Sequence, residues 1–176
     1  MKIQGKHFVI TGGGSGLGAA TAEYLVEKGA SVTLVDMNVE AGEQQAQALG
    51  EKAEFVKLDV TDEQAAEQFF QDVVAKHGSL HGLVNCAGIG PSAKVLGKEG
   101  VHDLVMFSKT LQINVTGTFN MLRFAAEAMS KNTVEADDED RGVIVNTASV
   151  AAFDGQIGQA AYSASKGAVV AMTLPI

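Results

Sequence analysis

His7-Phe8-Val9-Ile10-Thr11-Gly12-Gly13-Gly14-Ser15-Gly16-Leu17-Gly18 is the stretch from which the fold is read. A short β-rich run empties into glycines, and the residues that follow, Ala19 to Lys28, carry helical periodicity. Gly12, Gly16 and Gly18 therefore sit where a strand turns into a helix. Missing side chains there permit a tight turn, close approach of a phosphate and close helix packing. The helix amino terminus adds free N–H groups and a partial positive charge facing a pyrophosphate. A glycine-rich turn without a ligand has the same spacing, so the rest of the chain must decide.

Working outward, the same alternation repeats. Ser31 to Val35, Glu54 to Leu58, Gly82 to Asn85 and Val143 to Thr147 read as further buried strands, with helical segments at Val39 to Leu49 and Glu63 to His77. Parallel strands need crossover connections, so this order predicts a doubly wound parallel sheet with helices on both faces, a three-layer α/β/α domain over residues 1–176. Phe119, Met121, Leu122, Phe124 and Met129 mark an amphipathic helix that packs on the core or on a partner subunit. Glycine-rich punctuation from Gly88 to Gly100, with Pro91, predicts a long loop after the fourth strand, and Lys131 to Gly142 a second before the fifth. The chain stops at Leu174-Pro175-Ile176 without a cap or polar tail. A fragment lacking its carboxyl-terminal strands is the expectation, because the fifth strand would otherwise be a bare edge.

The 176 residues are 46% hydrophobic and 19% charged, which suits one soluble globular domain. A net charge of -8 and a pI near 4.9 argue against nucleic acid or an anionic membrane as partner. Glu135, Asp137, Asp138, Glu139 and Asp140 read as a solvated loop, since they lack the spacing of a calcium site. Cys86 is the single cysteine, so no internal disulfide forms and a reducing, cytoplasm-like compartment is expected; a mitochondrial matrix protein whose presequence has been removed would read the same. His7, His77, His81 and His102 are scattered without ligand spacing and read as surface or packing residues, and no metal is expected.

Asp36 ends the second strand, at the distance from the glycines where an acid accepts bonds from the adenosine ribose. A carboxylate repels a 2'-phosphate, and Lys28 is the only cation between Thr11 and Asn38, so NAD is favoured over NADP. Asp59 ends the third strand. It reads either as acceptor of the adenine amino group, with Val60 at the ring edge, or as a plain helix-capping aspartate.

Tyr162 and Lys166 fall one helical turn apart in Ala161-Tyr162-Ser163-Ala164-Ser165-Lys166-Gly167, so the lysine cation lies beside the phenol and favours its anion. Ser149 precedes the tyrosine by thirteen residues and belongs at the carboxyl end of the fifth strand, the edge of an open parallel sheet where ligands bind. A tyrosinate there would take the proton of an alcohol as hydride leaves, with the serine hydroxyl holding the oxygen.

The glycine run, Asp59, Asn85-Cys86-Ala87-Gly88, Asn114, Ser149, Tyr162 and Lys166, in this order, resemble the short-chain dehydrogenase/reductase family. That resemblance implies a Rossmann-type sheet of about seven strands, an oligomer packed through helices, and a catalytic tetrad of Asn114, Ser149, Tyr162 and Lys166. By analogy, Asn114 holds a water that links Lys166 to solvent; a buried helix asparagine bonded to backbone is the plainer alternative. The stretch from Arg141 to Ile176, the Asn85 to Gly88 turn and the longer loop after it are similar, more narrowly, to the type 2 3-hydroxyacyl-CoA dehydrogenases, NAD-dependent enzymes of short and branched acyl-CoA oxidation. The resemblance implies that Ser15, Leu17, Asp36, Asp59, Val60 and Cys86 contact NAD, joined by Ala87, Gly88, Tyr162 and Lys166, and that Gln156 faces the acyl group alongside Ser149 and Tyr162. It implies oxidation of 3-hydroxyacyl-CoA to 3-oxoacyl-CoA by a homo-oligomer, dimer or tetramer. The alternatives are a 3-oxoacyl-carrier-protein reductase or other carbonyl or hydroxysteroid reductase, and, in another class, a noncatalytic dinucleotide-binding protein or inactive truncated product. Cys86 stands where the wider family commonly has asparagine, and the following strands and substrate lid are lacking.

Overall fold

Strand β1 (His7–Thr11) is buried at every residue, as a strand covered on both faces must be. It lies at the centre of a parallel sheet completed by β2 (Ser31–Asp36), β3 (Ala53–Lys57) and β4 (Gly82–Asn85), with the last strand, β7 (Val143–Asn146), beside β4. The spatial order is β3-β2-β1-β4-β7, every pairing parallel. The structure is a computed structural model and describes residues 2–98, 100–134 and 140–176.

The helices are α1 (Gly16–Glu27), α2 (Val39–Leu49), α3 (Glu63–His77), α4 (Leu104–Leu111), α5 (Thr118–Ser130) and α6 (Ala160–Thr173). The two-residue alternation of side chains along β1 splits the core into two layers. Phe8 and Ile10 join Val32, Leu34 and Val84 under Ala22 and Leu25 of α1. Val9 joins Val35 and Leu83 on the other face, under Phe69 and Phe70 of α3 and Met121, Leu122 and Met129 of α5. The expected three layers are thus present, and the predicted amphipathic helix is α5, although Phe119 is left largely exposed.

Three departures from the sequence reading matter. The loop after β4 is not featureless: Leu96–Gly97 (β5) and Gly100–Val101 (β6) pair as a small antiparallel ribbon. Helices α4 and α5 are joined by a wider π turn at Gln112–Gly117, centred on Asn114. Helix α1 starts three residues earlier than its periodicity suggested, because its first turn is made of the glycine run itself. The acidic residues Glu135 to Glu139 lie outside the described residues. Among the described residues no helix is long and apolar enough to cross a membrane.

After β3 the chain returns past β1 to place β4 on its far side, so the order reverses between β1 and β4. A crevice opens at the carboxyl ends of strands where this happens.

Candidate active site

The crevice is present, a cleft of about 670 Å³. It is lined by Gly12, Ser15, Gly16, Leu17, Gly18, Asp36, Asp59, Val60, Cys86, Ala87 and Gly88, the nucleotide residues expected from the loops and strand ends. Val35, Met37, Leu58, Ile89, Lys109 and Ile113 line it too, and the sequence reading missed them. Val35, Met37 and Leu58 adjoin chosen residues at strand ends. Lys109 and Ile113 come from α4 and its π turn, far along the chain, and carry no motif that points to a nucleotide.

The glycines are required for different reasons. Gly12 has φ 65°, and a Cβ on it would lie 2.8 Å from the Ala87 nitrogen, so this residue lets the turn close against the end of β4. A Cβ on Gly18 would collide with the Gly12 carbonyl, 2.1 Å away, which is the close packing of α1 on its own turn. Gly16 has φ 53° and open space where its Cβ would be, facing the cleft. The Ser15 N-cap makes no side-chain bond to the helix start, and the first turn of α1 carries no acid. These features fit a pyrophosphate.

Thr11 stitches the turn to the neighbouring strand. Its Oγ1 accepts from the Cys86 and Ala87 nitrogens, each at 3.1 Å. Asp36 ties the other side: Oδ2 accepts from the Gly14 nitrogen and Oδ1 from the Asn38 nitrogen, both at 3.0 Å. The cap of α3 belongs to Asp62, whose Oδ1 accepts from the Ala65 nitrogen at 3.0 Å. Asp59 instead bends back to Thr61, accepting from its nitrogen and hydroxyl, and lines the cleft. The helix-capping reading of Asp59 therefore falls away.

The remaining site residues converge from β7, α6 and the π turn. Ser149 follows β7 and caps a short 3-10 turn at Val150–Ala152, its Oγ accepting from the Ala151 nitrogen at 3.2 Å. That turn packs against α6. Tyr162 and Lys166 sit on α6 one turn apart, with the lysine nitrogen 5.7 Å from the tyrosine ring centre. They are not among the residues lining the nucleotide cleft, but Gly90, next to the cleft-lining Ile89, faces the Tyr162 ring at a distance where an added Cβ would be 3.4 Å away.

Lys166 is 7% exposed and donates to the Thr147 carbonyl at 2.6 Å. Burial pushes its ammonium below the usual lysine range, opposed by the nearby Cys86. Burial likewise raises the Cys86 thiol, with Lys166 acting the other way. Asn114, 1% exposed, spends its side chain on the protein: Oδ1 accepts from the Ile89 nitrogen at 2.8 Å, and Nδ2 donates to the Ile89 carbonyl at 2.8 Å and to Ser165 Oγ at 2.9 Å. Its side chain is thus that of a buried asparagine bonded to backbone and to Ser165. Gln156 is exposed, and its nitrogen bonds the Gln159 side chain at 3.1 Å.

Three of the histidines, His7, His77 and His81, come together in space as packing residues, while His102 lies apart, bonded to the Ala93 carbonyl. At the opposite, amino-terminal edge of the sheet, His7 and His77 stack with ring centres 3.7 Å apart, and ligand atoms of His7, Glu54 and His77 lie within 4.8 Å of one another. The rings are only 13° from parallel, so their in-plane lone pairs run side by side instead of converging as an ion's ligands do. Far-apart segments carry these residues, which is why ligand spacing along the chain could not reveal them.

A family model described as short chain dehydrogenase matches residues 6–176, and the chain belongs to that family. It is 52% identical over 170 residues to a Drosophila melanogaster protein named 3-hydroxyacyl-CoA dehydrogenase type-2, a match covering 96% of this chain and 66% of that one. The Homo sapiens protein of the same name is 49% identical over 176 residues, covering 99% and 67%. Thus the chain spans about two thirds of the length of these relatives. Among solved structures, a 3-hydroxyacyl-CoA dehydrogenase type-2 from Mycobacterium avium is 32% identical with a TM-score of 0.91, covering 99% of this chain and 69% of that one. An NAD+-bound xylitol dehydrogenase is 37% identical with a TM-score of 0.86, covering 98% and 64%.

Proposed function

We propose that this chain is the nucleotide-binding and catalytic part of an NAD-dependent dehydrogenase that oxidises the secondary alcohol of a 3-hydroxyacyl-CoA to the 3-oxoacyl-CoA. The observation that carries the reading is the cleft that combines a glycine cradle with Asp36, alongside which α6 presents Tyr162 and Lys166. The glycine turn, Asp36 and Asp59 would hold NAD there, and the bound nucleotide would supply the two-electron acceptor for the hydride. Tyr162, as the phenolate, takes the proton of the alcohol oxygen while the carbon–oxygen bond becomes double. Ser149 holds that oxygen, and Lys166 favours the phenolate by its charge. Gln156 faces the acyl part, and Asn114 supports the site through the loop at Ile89 and through α6. The carboxylate of Asp36 disfavours a 2'-phosphate and so supports NAD over NADP. Choice of a 3-hydroxyacyl-CoA rests on the names of the relatives.

Exposed apolar side chains on α4 and α5, Leu104, Val105 and Phe119, support a homo-oligomer packed through these helices. Sedimentation velocity reads it, and a monomer at micromolar concentration would remove that part of the reading.

The test of the activity is absorbance of reduced NAD with 3-hydroxybutyryl-CoA. Tyr162→Phe is expected to lose at least about a hundredfold in kcat, the low end for a general base, with NAD affinity nearly intact. Turnover by Tyr162→Phe at the parent rate, or a parent that prefers NADP, overturns the assignment.

A further inference from the structure

Helix α6 has to present Tyr162 at a set depth beside the cleft, but its own start does not hold it: the N-cap Gln159 makes no side-chain bond to the helix. A helix satisfies its backbone ladder wherever it slides. Something on the buried face must set the register. Ser165 is 0% exposed, donates its hydroxyl to the Tyr162 carbonyl at 2.7 Å and accepts from Asn114 Nδ2 at 2.9 Å. Asn114 in turn grips both the nitrogen and the carbonyl of Ile89, a residue of the cleft wall, and Gly90 beside it faces the Tyr162 ring. The bonds run from the cleft wall to Asn114 to Ser165 to the Tyr162 carbonyl, and the Gly90 backbone beside the Tyr162 ring completes the circuit by contact instead of by a bond.

Alanine would serve helix stability better than serine at such an interior position, and Ala161, Ala164 and Ala168 already surround it. We propose that Ser165 is a positioning residue, whose hydroxyl sets the depth of Tyr162 beside the nucleotide cleft through Asn114 and Ile89. The proposal rests on the dehydrogenase reading of the site. Misplacing a reacting group by about 1 Å can cost about a hundredfold in rate, so the register matters for kcat more than for cofactor binding.

Ser165→Ala removes the hydroxyl alone. Its expected result is a kcat lower by about 10- to 100-fold, an unchanged KM for NAD, and partial recovery in Ser165→Thr, which keeps the hydroxyl. A second readout needs no turnover. The chain has two tyrosines and no tryptophan, so Tyr24→Phe leaves Tyr162 as the only strong emitter, and its fluorescence anisotropy reports how firmly the ring is held. Ser165→Ala in that background is expected to lower the anisotropy. Unchanged anisotropy overturns the proposal, and so does lowered anisotropy with an unchanged kcat, which would make Ser165 structural only. If the anisotropy falls but the parent oxidises no 3-hydroxyacyl-CoA, the dehydrogenase reading is lost and the clasp is not.

Discussion

Asp36 holds the site in shape and, in the proposed reading, also discriminates between nucleotides. Both of its oxygens accept bonds from backbone nitrogens, Gly14 on one side and Asn38 on the other. The carboxylate that would meet the ribose is thus also the post that holds the glycine turn beside β2. Hydrogen bonds to a charged group contribute about 1.5–3 kcal/mol each, so Asp36→Ala is expected to weaken NAD binding by about 10- to 100-fold. Asp36→Asn keeps much of the shape and removes the charge, and is expected to narrow the preference for NAD over NADP. Titration calorimetry with both nucleotides reads the two effects; an unaltered preference in the asparagine variant would mean that charge at this position does not choose the cofactor.

Between elements, close approach decides packing. Helix α2 lies on β3 through Gly42, where a Cβ would come within 2.1 Å of the Phe55 ring. Gly42→Ala pits two effects against each other. Helix propensity favours alanine by about 1 kcal/mol, while forcing a methyl into a packed contact costs about 1–3 kcal/mol. With an aromatic ring directly in the way, the second is expected to win, giving a lower urea midpoint; a midpoint equal to or above the parent's would show that Phe55 moves aside freely. The π turn at Gln112–Gly117 is the other feature at this scale. It widens the helix where Asn114 must reach both Ile89 and Ser165, as such turns often do at functional sites.

For the molecule as a whole, the histidine cluster ties stability to pH. Thr33 Oγ1 donates to Glu54 at 2.8 Å and so accepts from His7 Nε2 at 3.0 Å, which assigns His7 as the neutral Nε2–H form with Nδ1 facing the Ser31 hydroxyl at 2.8 Å. Burial, reinforced by His77 and opposed by Glu54, lowers the His7 pKa from 6.5 to about 4. Burial would raise Glu54, but bonds from Lys76, His77 and Thr33 outweigh it and hold it at about 2 instead of 4.5. Both folded-state values are depressed. The His7 contribution is complete above pH 6.5 and is lost as pH falls through 4; that of Glu54 is complete above 4.5 and lost towards 2. The urea midpoint is therefore expected to fall steadily from pH 6.5 downward, and His7→Gln to flatten the part between 6.5 and 4. A parent midpoint that stays level from pH 7 to 4 would refute this.

How much was legible beforehand follows from the range of each interaction. The order of strands and helices, the glycine turn, Asp36 and the spacing of Tyr162 from Lys166 depend on neighbours within a turn or a strand, and periodicity and residue type report those directly. Asn85 to Gly88 and Asn114 could be assigned only by resemblance, since their partners lie elsewhere in the chain, whereas Ser149 followed from its place after the fifth strand. The sheet brought Lys109 and Ile113 to the cleft, stacked His7 on His77 and linked Ser165 to Asn114, contacts between segments tens of residues apart that leave no period in the sequence. Local chemistry determined by itself that the chain would build a nucleotide-type turn and a tyrosine–lysine helix; only the order of strands across β1, set by burial on two faces at once, decided what those two would face.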